Sequence, residues 1–234
     1  MSARRSRWFV VVVIGTLIGI EILIYSAVLP AAGWLVLVAG VLLVGVARLA
    51  GLSFADLGLS ADSVGRGLRY GAVIVAAVVL IAGIGLAIGP TRELFLNDRY
   101  QDLGPALKAS LVIIPLRTVL GEELLFRGVL LGGLLQVFST RVAVCVQALF
   151  FGLWHVASSL GLAASNAGLH AILGEGWVAT VGGVTLAVLV TGAAGILLGW
   201  LRIRSGSLLA PIALHWAANG IGAVTAALAW QVSG

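Results

Sequence analysis

The chain has 234 residues, 61% of them hydrophobic and 10% charged, with a mean hydropathy of +1.15 and a formal net charge of +5. Soluble domains hold about 45–50% apolar and about 25% charged residues, so the composition excludes an ordinary soluble protein; at about 20 apolar residues per crossing, the length allows at most about eight spans and no separate soluble domain. The basic residues fall in short groups beside apolar runs rather than in one stripe, so they read as topology signals and not as a nucleic-acid surface.

Arg4, Arg5 and Arg7 precede an apolar run over 8–29. That run is longer than the roughly 7–15 residues of a signal-peptide core, so it predicts an uncleaved first span. A second follows Pro30, over 31–50. Residues 51–69, GLSFADLGLSADSVGRGLR, mix Asp56, Asp62, Arg66 and Arg69 with Gly and Ser, the signature of a water-exposed loop or interfacial helix. The third span covers 70–88; Gly89 and Pro90 close it, and TRELFLNDRYQD forms the next loop. A fourth apolar stretch runs over 105–138, and Arg141 separates it from a fifth that ends near Leu160. Residues 161–177 are Gly- and Ala-rich and read as a loop or a re-entrant piece; the sixth span covers 178–201 and the seventh 208–230.

The expected fold is an all-α integral membrane protein, a polytopic bundle of about seven transmembrane helices around an intramembrane polar cavity. Seven crossings put Arg4, Arg5, Arg7, Arg48, Arg66, Arg69, Arg141, Arg202 and Arg204 on one side and Arg92, Arg99 and Lys108 on the other. Lys and Arg collect on the cytoplasmic side, so the N-terminus is expected inside, in the cell membrane. Gly15 with Gly19, Gly128 with Gly132, and Gly195 with Gly199 have the four-residue spacing that lets helices approach closely. The single cysteine, Cys145, excludes an intramolecular disulfide and reads as a small buried hydrophobe.

The charges that topology leaves over lie in the fourth span, in TVLGEELLFRGVLL. A charge near the middle of a membrane helix costs at least about 2.5–3.5 kcal/mol, so such groups face a bundle interior or a wet cavity. Glu123 precedes Arg127 by four residues, the favourable order for an ion pair on one helix face. Glu122 is turned from Glu123 by about 100° and is left with chemistry to spare. FFGLWHV sets Phe151 and His155 four apart in the fifth span, and LHWAANG sets His215 and Asn219 four apart in the seventh. A lone intramembrane His or Asn is often interhelical glue. Three helices each offering such a group point instead to a cavity that polarises water, moves protons and stabilises an oxyanion.

The ordered set E-E-x-x-x-R, F-x-x-x-H and H-x-x-x-N resembles the CPBP (Abi) intramembrane proteases, related to type II CaaX prenyl endopeptidases. The resemblance divides the chain into an N-terminal three-span region with a cytoplasmic loop, residues 1–104, and a catalytic transmembrane region, residues 105–234. It implies an endopeptidase acting on a membrane-associated protein or peptide. Glu122 and His155 would activate water, His215 and Asn219 would stabilise the oxyanion, and Glu123, Arg127 and Phe151 would support the site. Whether a divalent metal takes part stays open; a zinc ion would be held by Glu122, His155 and His215, acceptable ligand types. The implied partners are the lipid bilayer and a peptide substrate, with no nucleic acid.

Other membrane proteases fit poorly, because the chain has no H-E-x-x-H and no intramembrane aspartate, and Ser207 lacks the usual serine-protease setting. Two features stand outside the resemblance. Arg117 is an additional intramembrane charge with Glu122, Glu21 or a substrate carboxylate as candidate partner, and Glu21 reads as packing or part of a wet vestibule. The competing readings are a catalytically silent scaffold or immunity protein, and a proton-coupled transporter; the latter is disfavoured by the lack of a convincing internal repeat.

Overall fold

The computed structural model describes residues 3–25, 32–162 and 173–233. Most of the segment 161–177 therefore lies outside the described residues. Among those described, seven long apolar helices follow one another: α1 (Ala3–Tyr25), α2 (Ala32–Ala50), α3 (Val64–Ala87), α4 (Leu103–Leu134), α5 (Thr140–Leu153), α6 (Gly176–Ser205) and α7 (Leu209–Ser233). Five of the helices are long and apolar enough to cross a bilayer; α2 and α5 are shorter. The chain is an all-α, multi-pass membrane protein.

The helices begin and end differently from their apolar runs. The interfacial stretch before the third span is helical from Val64, with Gly67 and Gly71 buried against Ser207, Leu209 and Ala213. The fifth helix stops at Leu153, short of Leu160, and residues 157–159 form a separate 3-10 turn. His155 consequently stands just past the helix end rather than within it.

Close approach of backbones fixes the core. A Cβ on Gly121 of α4 would lie 2.7 Å from the backbone nitrogen of Leu37 on α2, and one on Gly152 of α5 would lie 2.7 Å from the carbonyl oxygen of Val188 on α6. Only glycine permits these two crossings. Gly195 and Gly199 likewise meet Ala148 and Gln147 across the α5–α6 contact, whereas a Cβ on Gly15 or Gly19 would have no neighbour within 4 Å. The Gly15–Gly19 pair therefore does not pack against a described helix. Cys145, expected to be buried, is exposed on α5.

The two ends of the bundle differ in charge. Gly133 packs on Phe9, Arg202 donates to the carbonyls of Ala55 and Asp56, and Leu208 donates through its N–H to Gly58. The start of α1, residues 48–60, the α4–α5 turn and the α6–α7 turn thus share the arginine-rich end. At the opposite end Trp230 Nε1 donates to the carbonyl of Asn97 (3.3 Å), tying the close of α7 to the 91–102 loop.

Candidate active site

The helix that carries the two glutamates is not a regular α-helix. It contains π-type turns at Ala109–Ile113, Pro115–Val119 and Leu124–Leu130. Pro115 lacks an N–H and disturbs the i to i−4 ladder, and such wide turns occur most often at functional sites. Arg127 lies in the third of them, and Asn219 in a further π turn, Ala217–Ile221, on α7.

Glu123 is fully buried and holds two partners with one oxygen. Its Oε1 accepts from Arg127 Nη1 at 3.0 Å and lies 2.8 Å from His215 Nδ1. Arg127, also fully buried, has its guanidinium carbon 3.9 Å from the centre of the Phe151 ring. A desolvated cation over an aromatic face gains about 2 kcal/mol or more, so Phe151 helps hold the charge where water does not. Phe151 also packs edge-on against His155 and His215, with centroids at 4.9 and 6.0 Å.

Glu122 is turned to different neighbours. Trp154 Nε1 donates to its Oε1 at 3.3 Å, and its Oε2 has no hydrogen-bond partner and lies 3.9 Å from His215 Nε2. Sequence reasoning did not single out Trp154. Its signal was legible: it immediately precedes His155 and, among aromatics, an indole supplies a donor with no acceptor. None of the described contacts of Glu122 is with His155.

Hydrogen-bond partners set both histidine tautomers. Nδ1 of His155 lies 2.8 Å from the carbonyl oxygen of Phe151, which only accepts, so this nitrogen carries the proton and Nε2 the lone pair. With the Glu123 carboxylate oxygen accepting at Nδ1, neutral His215 adopts the same tautomer. Its Nε2 and Glu122 Oε2 are then two acceptors facing one another with no donor between them.

His155, His215 and Asn219 line one cavity of about 340 Å³, walled on the other side by α6. His155 is half-buried, Asn219 is exposed, and Ser159 Oγ donates to the His155 carbonyl at 2.7 Å, bracing the turn. Arg117 pairs with neither Glu122 nor Glu21: its guanidinium lies 5.9 Å from the centre of the Trp34 ring. Glu21 faces the backbone N–H of Ala157, beyond His155.

Among the described residues no three His, Cys, Asp or Glu side chains are grouped closely enough to hold an ion, and Glu122, His155 and His215 as placed do not assemble a ligand set.

A family model described as Rce1-like, type II CAAX prenyl endopeptidase Rce1-like, matches residues 105–221, half of the 234-residue chain. The matched stretch holds Glu122, Glu123, Arg127, Phe151, His155, His215 and Asn219. No curated protein and no solved structure matches the chain.

Proposed function

This chain belongs to the type II CAAX prenyl endopeptidase Rce1-like family, and from that premise we propose that it is an intramembrane endopeptidase that cleaves a membrane-associated protein or peptide with water activated between Glu122 and His215. The observation that carries the reading is the 3.9 Å approach of Glu122 Oε2, a buried oxygen with no hydrogen-bond partner among the described residues, to His215 Nε2. A water molecule recruited there would donate one hydrogen bond to each and keep its lone pairs for a carbonyl carbon. One acceptor takes the proton as the oxygen attacks, the work of a general base.

Glu123 gives His215 its direction. Bonded to Nδ1, it fixes the tautomer and stabilises the imidazolium that forms when Nε2 takes a proton, while Arg127 pairs with the same Glu123 oxygen at 3.0 Å. This is the orienting logic of a carboxylate behind a catalytic histidine. Trp154 holds one oxygen of Glu122 and leaves the other for the water. Asn219 donates from its amide to the developing oxyanion. The proton that Glu122 or His215 takes from the water passes on to the leaving amine, and His155, which lines the same cavity with its Nε2 lone pair, accepts a hydrogen bond from the substrate N–H. The geometry thus favours His215, rather than His155, as the histidine that works with Glu122.

Residues 105–234 form the catalytic region under this reading, and residues 1–104 supply α2, whose backbone meets Gly121 one residue before Glu122. The arginine-rich end supports an N-terminus in the cytoplasm.

The test compares wild type with Glu122→Gln, His215→Ala and His155→Ala in membranes, by mass spectrometry of released peptide fragments. Equal expression and equal thermal stability accompany the comparison as fold controls. The expected result is loss of a defined set of fragments in all three variants; folded variants that release the wild-type set overturn the reading.

A further inference from the structure

The fifth helix leaves its hydrogen-bond ladder within an apolar segment. In a continued α-helix the carbonyl of Phe151 would accept the N–H of His155, four residues on. His155 instead donates that N–H to Gly152 at 3.0 Å, and the Phe151 carbonyl is left for Nδ1 of the same histidine at 2.8 Å. The break in the ladder therefore fixes the His155 tautomer and turns the Nε2 lone pair to the cavity that His155 lines.

Such a break frees backbone N–H groups, and among apolar neighbours each needs another acceptor. Val156 donates to Leu153, Ser159 to His155 and Val156, and Leu160 to Ala157. The N–H of Ala157, the first residue of the 3-10 turn, meets the carboxyl of Glu21 on α1. Leu17 and Ile20 of α1 are buried in the same apolar cluster as Phe151 and Trp154, which sets the two segments side by side.

An acid within a membrane span is expensive, and Glu21 stands outside the stretch 105–221 that matches the family model. The contact with Ala157 accounts for it. A carboxyl oxygen accepts whether or not the group is ionised, so Glu21 supplies the acceptor that the fifth helix lacks where it breaks.

We propose that Glu21 is a positioning residue for His155, holding the 157–159 turn so that the histidine keeps its proton on Nδ1 and offers Nε2 to the cavity. Glu21 touches no reacting atom and acts through the turn alone. Its effect on the reaction rests on the protease reading; its effect on the His155 tautomer does not.

Histidine NMR reads the tautomer directly. Full-length protein in nanodiscs, isotope-labelled at its three histidines, is compared as wild type, Glu21→Gln, Glu21→Met and Glu21→Leu at a pH where imidazole is neutral. The His155 signals are assigned by their loss in His155→Gln. Met and Leu keep a helix-forming side chain in α1 and remove a charge from the span, which favours insertion, and one folded apolar variant suffices. Wild type and Glu21→Gln are expected to carry the proton on Nδ1, and the apolar variants a mixture of tautomers. An unchanged tautomer in a folded apolar variant overturns the proposal, as does loss of the Nδ1 proton in Glu21→Gln to the same extent. In wild type itself the Ala157 amide is expected to exchange slowly with deuterium; exchange as fast as at an exposed loop amide overturns the contact.

Release of the fragments that depend on Glu122 is expected to fall about 10- to 100-fold in the apolar variants, the effect of a small misplacement at a reacting site, and to be restored in Glu21→Gln. Unchanged release beside a shifted tautomer overturns the positioning role in the reaction. If wild type releases no such fragments, the protease reading has failed, and the tautomers alone uphold or overturn the hold of Glu21 on His155.

Discussion

Two buried arginines, Arg127 and Arg202, put the same side chain to different uses, one beside the proposed catalytic carboxylates and the other in the architecture. Arg127 spends its charge on Glu123, a carboxylate shared with a histidine of another helix. Arg202 spends its charge on the carbonyls of Ala55 and Asp56, at 3.0 and 2.9 Å, groups that never change protonation. Around Arg127 several buried polar atoms stay unpartnered, including Glu122 Oε2, Glu123 Oε2 and Arg127 Nη2. Around Arg202 the unpartnered buried atom is its own Nε, and the backbone closes in on it, so that a Cβ on Gly58, at φ +72°, would sit 2.1 Å away. Spare valence on titratable groups marks a site for reaction; neutral acceptors and a glycine-shaped fit mark a clamp.

The sharpest test of that contrast is Glu122→Gln. The amide keeps the size and the bond from Trp154 but loses the proton acceptor, so peptide release is expected to fall about 10²–10⁴-fold, the usual worth of a general base. Melting temperature in detergent is expected to stay near wild type, because the Glu122 oxygen that faces His215 carries no hydrogen bond to lose. A large drop in melting temperature with unchanged cleavage would move Glu122 to the structural side of the comparison.

Arg127→Met probes the support rather than the base. It leaves Glu123 and His215 buried with one cation removed, and breaking a buried pair this way costs about 3–5 kcal/mol. Thermal unfolding is expected to show the loss, and Glu123→Gln combined with Arg127→Met is expected to recover part of it, since no uncompensated carboxylate then remains. If the double variant regains stability yet still cleaves poorly, Glu123 acts through the orientation of His215.

How much of this was legible in the sequence follows from the same physics. The seven apolar helices and the i, i+4 pairing of Glu123 with Arg127 are local, and local periodicity carries them. The meeting of Glu123 with His215 spans 92 positions, and composition is silent on which of two histidines approaches a carboxylate. FFGLWHV continues the apolar run past Leu153 and so puts His155 within the fifth span, whereas the helix ends two residues before it; hydropathy does not register where a helix ends inside a bilayer. Arg117 was expected to seek a carboxylate; Trp34, from a different helix, meets it instead.

Arg202→Ala tests the clamp. It strips the carbonyls of Ala55 and Asp56 of a donor in two part-buried hydrogen bonds, and because water reaches this loop the cost is expected to stay at about 1–1.5 kcal/mol for each bond. A lower melting temperature is expected, with cleavage per folded molecule unchanged. Loss of cleavage without loss of stability would join this end of the bundle to the chemistry and dissolve the contrast.

The smallest expected effect is a pH slope at the same clamp. Burial pushes the Asp56 carboxyl up, but hydrogen bonds from the hydroxyl and N–H of Ser53, a bond from Gln136 and the charge of Arg202 outweigh it, leaving the group below its ordinary 3.8. A carboxylate with a depressed folded-state pKa adds stability that is complete above its unfolded value and fades as pH falls through the folded one. Wild-type melting temperature is therefore expected to decline on acidification below about 3.8 more steeply than that of Asp56→Asn, which cannot titrate. The difference should be small, because the carboxylate is largely exposed and solvent screens it. Parallel declines would show that the Ser53, Gln136 and Arg202 contacts hold the loop without favouring the ionised form, making the clamp as indifferent to protons as the carbonyls that Arg202 binds.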